Sequence, residues 1–443
     1  MPTKPSYLLI LLALLTGSLL TSAPVQADQT FIVTLYNDPV PNGCQPNHCS
    51  LREAIIDANT TPGADTIVLN EGIYLLGRWG EDQAGFNGDL DITGPLTING
   101  AGATRTIIDG NGYSTVDRVF DIFGDNAVSF NDLTIRDGTA FISGGGIANR
   151  GDLSLNNVIV EDNEAGYTGG GIYNEGRLRL HNVTIRNNWT RTSPGEGGGI
   201  DILAGNVTIT SSAIYSNTTV GNGGGLALAG GSLTLINTTV SGNQANGSGG
   251  GLSVFQGGTA NFYNVTLALN TANADNNASG QGGGIYGGNS DTPITIRNSL
   301  IALNTTEGSL LNLPNDCYGA LISEGYNLIS ITNDCTITGS TGANKTDVGP
   351  QIGPLADNGG PTLTHALNPG SPAIDAGNPA GCKAGSASGL NLRPDQRGYI
   401  RSMDGDGNGS ARCDIGAFEF ASSPLGSAPA PASTQVFLPV VLK

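Results

Sequence analysis

Charged residues are scarce in this chain, and so are methionine, tryptophan and histidine. Only 13% of its 443 residues are Asp, Glu, Lys or Arg, and it contains 2 Met, 2 Trp and 3 His. Because His48, His181 and His365 lie in three separate regions, the sequence offers no histidine-centred nucleophile. The cysteines show no Cys-x-x-Cys spacing, which argues against a zinc site. No apolar run is long enough for a confident membrane span.

Basic residues are also few, 19 against 37 acidic ones, which gives a formal net charge of −18. Nucleic acid and anionic lipid surfaces are therefore not expected as partners. An acidic surface favours solubility, and it also attracts cations such as Ca²⁺.

Residues 1–27 have the features of a secretory signal peptide. Lys4 precedes an apolar run over residues 7–20, and Val25-Gln26-Ala27 forms a small-residue cleavage site before Asp28. The mature protein is therefore expected outside the cell, either secreted or held at the cell surface. Six cysteines fit that compartment. Fifteen pairings are formally possible, and proximity along the chain favours Cys44 with Cys49, Cys317 with Cys335, and Cys382 with Cys413.

Glycine is abundant, with 68 residues, and much of it occurs in a phrase that recurs six times. Each copy has three glycines followed by Ile or Leu, at intervals of 25 to 33 residues. A period in this range is typical of a stacked repeat. It is too short for a strand, a helix and a return, but it suits three short strands joined by bends. The copies begin at Gly144, Gly169, Gly197, Gly223, Gly249 and Gly282.

A second phrase alternates with the triplets: an apolar-alternating run with two polar residues six positions apart. The alternation of Leu178, Leu180, Val183 and Ile185 has the period of a strand. Stacked coils place equivalent residues about 4.8 Å apart, so each amide can donate to the next and satisfy a buried bend without water. We predict a first ladder of Asn157, Asn182, Ser211, Asn237, Asn264 and Asn298, and a second of Asn163, Asn188, Asn217, Asn243, Asn270 and Asn304.

These features predict an all-β fold, a right-handed single-stranded parallel β-helix of the pectin-lyase-like type over residues 63–348. The handedness follows from the general rule for parallel connections. The triplets and the apolar-x-x-Asn phrases also resemble the repeats of polymorphic outer membrane proteins. Those repeats carry Phe before x-x-Asn, which this chain does not, so the adhesin analogy is weak.

One amphipathic helix is predicted ahead of the coils, within residues 28–62. Ser50 and Glu53 form a capping box, and Asn59 ahead of Pro62-Gly63 ends the helix. An open solenoid end exposes its core, so the helix should act as a lid. The string from Cys49 to Ile55, followed by Asp57-Ala58-Asn59, resembles the CSLREA domain. That domain is found at the N-terminus of secreted bacterial β-helix proteins, which implies an exported bacterial protein.

Residues 349–420 change character and resemble the choice-of-anchor Q domain of exported bacterial proteins. The resemblance rests on the segments 358–362, 370–377, 395–398 and 413–419, and it implies that an attachment signal follows. Residues 421–443 contain a Pro/Ala/Ser linker and an apolar tail, Val436–Leu442, that ends in Lys443. We predict that the tail is a sorting or anchoring signal, and the alternative is a frayed end.

One calcium site is predicted in the run from Asp404 to Gly409. Oxygen ligands at alternate positions with Gly at the sixth match the first half of a calcium loop. Ile415 stands where a bidentate Glu is expected, so Asp414, one position earlier, is the proposed substitute, with Glu419 as another. The predicted ligands are therefore Asp404, Asp406, Asn408 and Asp414, and the alternative is an Asp/Gly-rich turn without an ion.

Charged residues stack on the early coils, and they are the candidates for catalysis. Aligned rungs place Arg136, Glu161 and Arg186 in one column, with Asp137, Asp162 and Asn187 in the next. A salt-bridge ladder explains this pattern. The alternative is a lyase-like groove in which stacked carboxylates hold Ca²⁺ and an arginine serves as base or neutralises charge.

The sequence therefore predicts an exported β-helix scaffold that binds a polysaccharide or a cell-surface glycan without catalysis. It is expected to be monomeric and to need no cofactor apart from the calcium considered above. The rival hypothesis is a polysaccharide lyase or glycoside hydrolase of the pectin-lyase-like fold. A groove that gathers Asp, Arg and Lys from adjacent coils would favour the enzyme.

Overall fold

The computed structural model describes residues 28–80, 85–114, 117–277, 279–287, 292–307, 313–384, 392 and 394–424. Their strands stack almost entirely in parallel, as an all-β solenoid of about nine turns. The predicted fold class is confirmed. The signal peptide and the apolar tail at 436–443 lie outside the described residues. Among those residues, no helix is long and apolar enough to cross a membrane.

Each regular coil contributes to four columns of strands, numbered here from the glycine triplet onward. Column 1 comprises Leu90–Ile92, Phe120–Ile122, Ile147–Asn149, Ile172–Asn174, Ile200–Ile202, Leu226–Leu228, Leu252–Val254 and Ile285–Gly287, and it continues into the start of Cys317–Ser323. Column 2 comprises Thr30–Ile32, Asp65–Val68, Leu96–Asn99, Arg177–His181, Asn206–Thr210, Ser232–Ile236, Thr259–Tyr263, Ile294–Arg297, Cys317–Ser323 and Cys335–Gly339.

Column 3 comprises Gly72–Leu75, Thr106–Asp109, Thr184–Arg186, Ala213–Tyr215, Thr239–Ser241, Thr266–Ala268, Leu300–Ala302, Leu328–Ile329 and Lys345–Thr346. Two longer strands, Ala127–Arg136 and Asp152–Glu161, run through both columns 2 and 3. Column 4 comprises Thr139–Ala140, Glu164–Ala165, Trp189–Thr190, Thr218–Thr219, Gln244–Ala245, Thr271–Ala272, Thr305–Thr306 and Leu313–Pro314. The remaining elements are the helix Leu51–Thr60, a 3₁₀ turn at Gly112–Ser114 and the antiparallel pair Ile352–Ala356 and Thr364–Leu367.

The glycine triplets make the entry to column 1 possible. Gly169 has φ +62°, a left-handed conformation that favours glycine. A Cβ on Gly170 would lie 2.4 Å from the carbonyl oxygen of Gly198, and one on Gly171 would lie 2.7 Å from that of Gly199. Neighbouring triplets therefore stack backbone against backbone, which no larger residue allows.

The second asparagine series forms a continuous buried ladder. Each side-chain Nδ2 donates to the Oδ1 of the next rung at 2.9 to 3.0 Å, from Asn163 to Asn304, and Asn304 donates to Asp316 at 2.9 Å. All six asparagines are fully buried. The ladder continues one rung beyond the series that the sequence identified, with a carboxylate in place of the amide.

The first series does not form the predicted ladder. Its members take left-handed backbone conformations, with φ between 46° and 55°, which turns the chain from column 2 to column 3. Asn157 bonds the Asp132 side chain, whereas both polar side-chain atoms of Asn264 lack a hydrogen-bond partner among the described residues. Asparagine is used at this bend because it tolerates the left-handed region. The members are Asn157, Asn182, Ser211, Asn237, Asn264 and Asn298.

The helix Leu51–Thr60 packs against the early strands Asp65–Val68 and Leu90–Ile92. The predicted capping box is present, since the Ser50 side chain accepts from Glu53 N and the Glu53 side chain accepts from Ser50 N. Arg52 is almost fully buried and pairs with Asp38 at 2.9 Å. The same guanidinium donates to three backbone carbonyl oxygens of residues 85–89, so it ties the helix to the first coils.

The described residues of the segment 349–424 fold back along the outer face of column 3. Leu300, Ala302 and Leu328 of the solenoid share a buried cluster with Leu367, Ala373, Ile415 and Phe418. Gln396 accepts a hydrogen bond from Thr239 Oγ1 at 2.6 Å, and the Ala417 amide donates to Thr266 Oγ1 at 2.9 Å. The C-terminal region therefore covers column 3 from about the coil of Ser211 onward. All three predicted disulfides are confirmed: Cys44–Cys49, Cys317–Cys335 and Cys382–Cys413.

Candidate functional site

The strand Arg177–His181 presents its polar side chains on the outer face of column 2. Strict alternation buries Leu178 and Leu180 in the core and leaves Arg177, Arg179 and His181 exposed. Two arginines and a histidine on one exposed face set this strand apart, because outward residues on the neighbouring rungs are mostly Ser, Thr and Asn.

A groove of about 800 Å³ runs along this face. Parallel register stacks the outward residues of five rungs into two rows along it. Five rungs span roughly 19 Å, since neighbouring strands lie about 4.8 Å apart. Ala64 and Pro95, near the N-terminal cap, line one end. The first row is Thr97, Ser129, Ser154, Arg179 and Thr208, and the second is Asn99, Asn131, Asn156, His181 and Thr210.

Amide groups in the second row are already oriented by each other. Asn156 Nδ2 donates to Asn131 Oδ1 at 2.9 Å, and Asn131 Nδ2 donates to Asn99 Oδ1 at 2.8 Å. All three side chains are half-buried. Because each amide has further hydrogen-bonding capacity, Asn156, which lines the groove, offers a donor and an acceptor to a ligand there, and Asn131 and Asn99 orient it.

Asp152 lies between the two arginines of the next rung. Its carboxylate oxygens are 3.3 Å from Arg177 Nη1 and 2.5 Å from Arg179 Nη1. Both arginine side chains are about half exposed, at 54% and 48%. Exposed ion pairs of this kind stabilise a fold by only about 0 to 1 kcal/mol, so stability does not account for the cluster.

The predicted column of Arg136, Glu161 and Arg186 lies on column 3, adjacent to this groove. The register is as expected, with Arg136 opposite Glu161 and Glu161 opposite Arg186. Arg186 Nε donates to Glu161 Oε2 at 2.6 Å, and Arg136 Nη2 pairs with Asp109 at 2.8 Å on the preceding rung. Burial lowers the pKa of both arginines, but their hydrogen-bond partners and neighbouring charges outweigh it and raise that pKa.

Asp137 and Asp162 occupy the bend that follows this column. Both have left-handed backbone conformations, with φ of 54° and 56°. Burial raises the pKa of Asp137, and Asp109 adds to the effect. The two aspartates thus have a conformational role, and the arginines beside them are engaged by carboxylates of the same column.

A buried acidic cluster lies on column 1, which sequence reasoning missed. Asp89, Asp91 and Asp121 bring carboxylate oxygens within 4.8 Å of one another. Arg118 pairs with Asp89 at 3.2 Å and with Asp121 at 2.6 Å, and Arg150 also pairs with Asp121. Burial, with Asp117 and Asp91 nearby, raises the pKa of Asp89 to about 8. Asp91 and Asp121 are consecutive in the strand register, so an alignment of column 1 could have revealed them.

The predicted calcium ligands are only partly brought together. Asp404 and Asp406 lie within 4.8 Å of each other and of Asp375, which the sequence did not indicate. Asp414 is turned inward instead, where it accepts from the amides of Asp375 and Phe420. Burial raises its pKa to about 8, and Glu419 adds to the effect. Asn408 donates to Asp406 from its side chain at 2.7 Å, so the loop is closed by its own hydrogen bonds.

Comparisons with known proteins give a distant likeness in fold. Neither a protein family nor a curated protein matches the chain. Pectate lyase Pel9A is 16% identical, with a TM-score of 0.49 over 90% of this chain and 98% of that one. The A-module of the mannuronan C-5 epimerase AlgE6 from Azotobacter vinelandii is also 16% identical, with a TM-score of 0.35 over 72% and 96%. The fold class rests on the chain's own strand pairings, and the CSLREA and choice-of-anchor Q resemblances stay predictions.

Proposed function

We propose that the groove on column 2 binds an extended polysaccharide chain outside the cell. The observation that carries this proposal is that the exposed side chains of Arg179 and His181 line a groove of about 800 Å³, with Arg177 exposed next to it on the same strand. Rows of hydroxyl and amide groups at a fixed spacing suit the hydroxyls of successive sugars. The two arginines suit a sugar carboxylate or sulfate, because a guanidinium matches such anions bidentately.

In this proposal, Asp152 affects how strongly Arg177 and Arg179 bind an anion. It holds Arg177 and Arg179 in place when the groove is empty and competes with a bound anion for them. An anionic chain must therefore reach the outward side of each guanidinium rather than replace the carboxylate. With few charges elsewhere on this face, binding should be moderate in affinity and weakened by salt.

The proposal is tested by retention of the purified protein on immobilised neutral, uronate-containing and sulfated polysaccharides. Arg179→Gln should weaken retention on an anionic polysaccharide roughly tenfold, which corresponds to about 1.4 kcal/mol. Arg191→Gln is the matched control, since Arg191 is also an exposed arginine in an ion pair but lies beside column 4. The proposal is wrong if no polysaccharide retains the protein, or if both variants weaken retention equally.

A second candidate function is favoured by the presence of Asp152, Arg177, Arg179 and His181 on adjacent rungs. In β-elimination of a uronate, His181 would take the proton at C5, the C4–O4 bond would break, and a C4–C5 double bond would form. The arginines would neutralise the carboxylate next to C5, and the departing oxygen would be protonated by solvent. Appearance of unsaturated products that His181→Gln abolishes would establish turnover, and retention without such products would leave binding alone.

A further inference from the structure

The residue just before each ladder asparagine has a left-handed backbone conformation. Its φ lies between 54° and 63° in six successive coils. Asp, Asn, Ser and Gly occupy this position in the first four of these coils. Asp, Asn and Gly are the residues that tolerate a left-handed conformation best. Leucine occupies it in the last two, where the conformation is costly. The six residues are Asp162, Asn187, Ser216, Gly242, Leu269 and Leu303.

Burial in the core does not offset this conformational cost for either leucine. Leu269 is 45% exposed and Leu303 is 43% exposed. They line an apolar groove of about 490 Å³, together with Pro314, Ile331 and Val348. Val348 is itself 37% exposed, and Leu313, next to Pro314 in the chain, is 58% exposed. Strained residues that keep apolar side chains on the surface indicate that the surface is covered by something apolar. We name it the leucine groove.

One segment of the same chain matches the leucine groove in chemistry. Residues 436–442 read Val-Phe-Leu-Pro-Val-Val-Leu, and Lys443 is the one charged residue beside them. Asp347 is the one charged residue among those that line the groove, and it is exposed. An apolar segment with an adjacent cation therefore complements an apolar groove with an adjacent anion.

Residues 425–435 connect the last described residue, Pro424, to the apolar segment 436–442, and their length must allow that segment to reach the leucine groove. Pro424 pairs with Tyr399 through a β-bridge, and the neighbouring Ile400 pairs with Pro394. The Pro394 carbonyl oxygen accepts a hydrogen bond from the Asn237 side chain, so this end of the described chain lies near the coil of Asn237. That coil lies two rungs from the coil of Leu303, or about 10 Å along the solenoid. Residues 425–435 can extend over roughly 36 Å, which is well beyond this separation along the solenoid axis.

We propose that residues 436–442 dock in the leucine groove of their own chain. Docking covers the exposed leucines and removes the apolar segment from solvent. It is independent of the polysaccharide groove, which lies on column 2 of the early coils.

The test uses the full mature chain with a photo-reactive benzoylphenylalanine in place of Phe437. After illumination, peptide mapping should find the cross-link on residues 303–314 or 347–350, at the mass of one chain and with a yield independent of protein concentration. Cross-links elsewhere on the chain, or only between two chains, would overturn the proposal.

Leu303→Asp provides the decisive variant. An aspartate, Asp162, occupies the equivalent position of an earlier coil in the same left-handed conformation. The substitution therefore relieves backbone strain, and the fold should persist. The cross-link yield should fall roughly tenfold. Leu203→Asp is the matched control, since Leu203 is 45% exposed and lies in another turn of the solenoid. An unchanged yield in Leu303→Asp, or an equal loss in both variants, would show that the segment does not use the groove.

Discussion

The asparagine ladder should be the most sensitive part of the solenoid, and Asn217→Ala tests this directly. Asn217 is fully buried at the middle of the ladder. Its Oδ1 accepts from both the backbone amide and the side chain of Asn188 at 3.0 Å. Its Nδ2 donates to Asn243 Oδ1 at 2.9 Å and to the carbonyl oxygens of Ile185 and Tyr215. One side chain therefore satisfies polar groups on three successive coils.

The expected loss follows from the groups that Asn217→Ala leaves without partners. Asn188 Nδ2 keeps two carbonyl acceptors, but the Asn188 backbone amide loses its acceptor. A buried donor without a partner costs about 1 to 3 kcal/mol, and the lost bond to Asn243 adds about 1 kcal/mol. The cavity left by the amide adds roughly 1 kcal/mol. The free energy of unfolding should therefore fall by about 3 to 5 kcal/mol.

Guanidinium chloride unfolding, followed by circular dichroism, measures the change, and hydrogen exchange at the Asn188 amide locates it. Asn182→Ala is the matched control. Asn182 belongs to the first asparagine series, where alanine in a left-handed conformation should cost only about 1 kcal/mol. If Asn217→Ala were no more destabilising than Asn182→Ala, the ladder would not contribute as argued.

Two further predictions concern carboxylates. Burial, with Glu196 nearby, raises the pKa of Asp201 to about 8, so its contribution to stability is present at low pH and lost as pH rises from about 4 through about 8. Asp201→Asn should flatten the fall in unfolding free energy over this window, and an unchanged slope would contradict the assignment. For calcium, titration calorimetry on the whole chain should show binding that Asp404→Asn abolishes, and heat no larger than that of buffer would exclude a site formed by Asp375, Asp404 and Asp406.

The C-terminal region packs against column 3 of the later coils. His365 Nε2 lies 2.9 Å from Ser241 Oγ, and Thr362 donates to the Ser211 carbonyl oxygen at 3.1 Å. Burial lowers the pKa of His365, so it is expected to be neutral and to act in packing. This region covers column 3 from about the coil of Ser211 onward, whereas the groove on column 2 lies on the earlier coils and is exposed.

Much of the scaffold could be predicted from the sequence because its causes are local. Glycine triplets specify a tight left-handed entry to column 1, and their spacing specifies the stacked coil. The second asparagine series was recognised by periodicity alone. The first series was misread because periodicity identifies equivalent positions without showing whether a side chain joins a ladder or only permits a bend.

The candidate sites were harder to predict because they depend on which outward residues remain uncovered. The sequence identified the charged residues of the early coils, but the groove lies on column 2, and the predicted column with Glu161 lies on the adjacent face. Asp375 joins Asp404 through contacts between residues far apart in the chain, which spacing within one loop does not reveal.

The sequence by itself determined the repeat, the fold class and the capping helix, because each is encoded by neighbouring residues or by a regular period. For the cysteines, proximity along the chain favoured the three pairings that the structure contains. Only the tertiary structure decided that the described part of residues 349–424 covers column 3 from about the coil of Ser211 onward, that the groove around Arg179 is exposed, and that Leu269 and Leu303 form an exposed apolar surface. These outcomes depend on how distant segments pack against one another, and no local pattern specifies that packing.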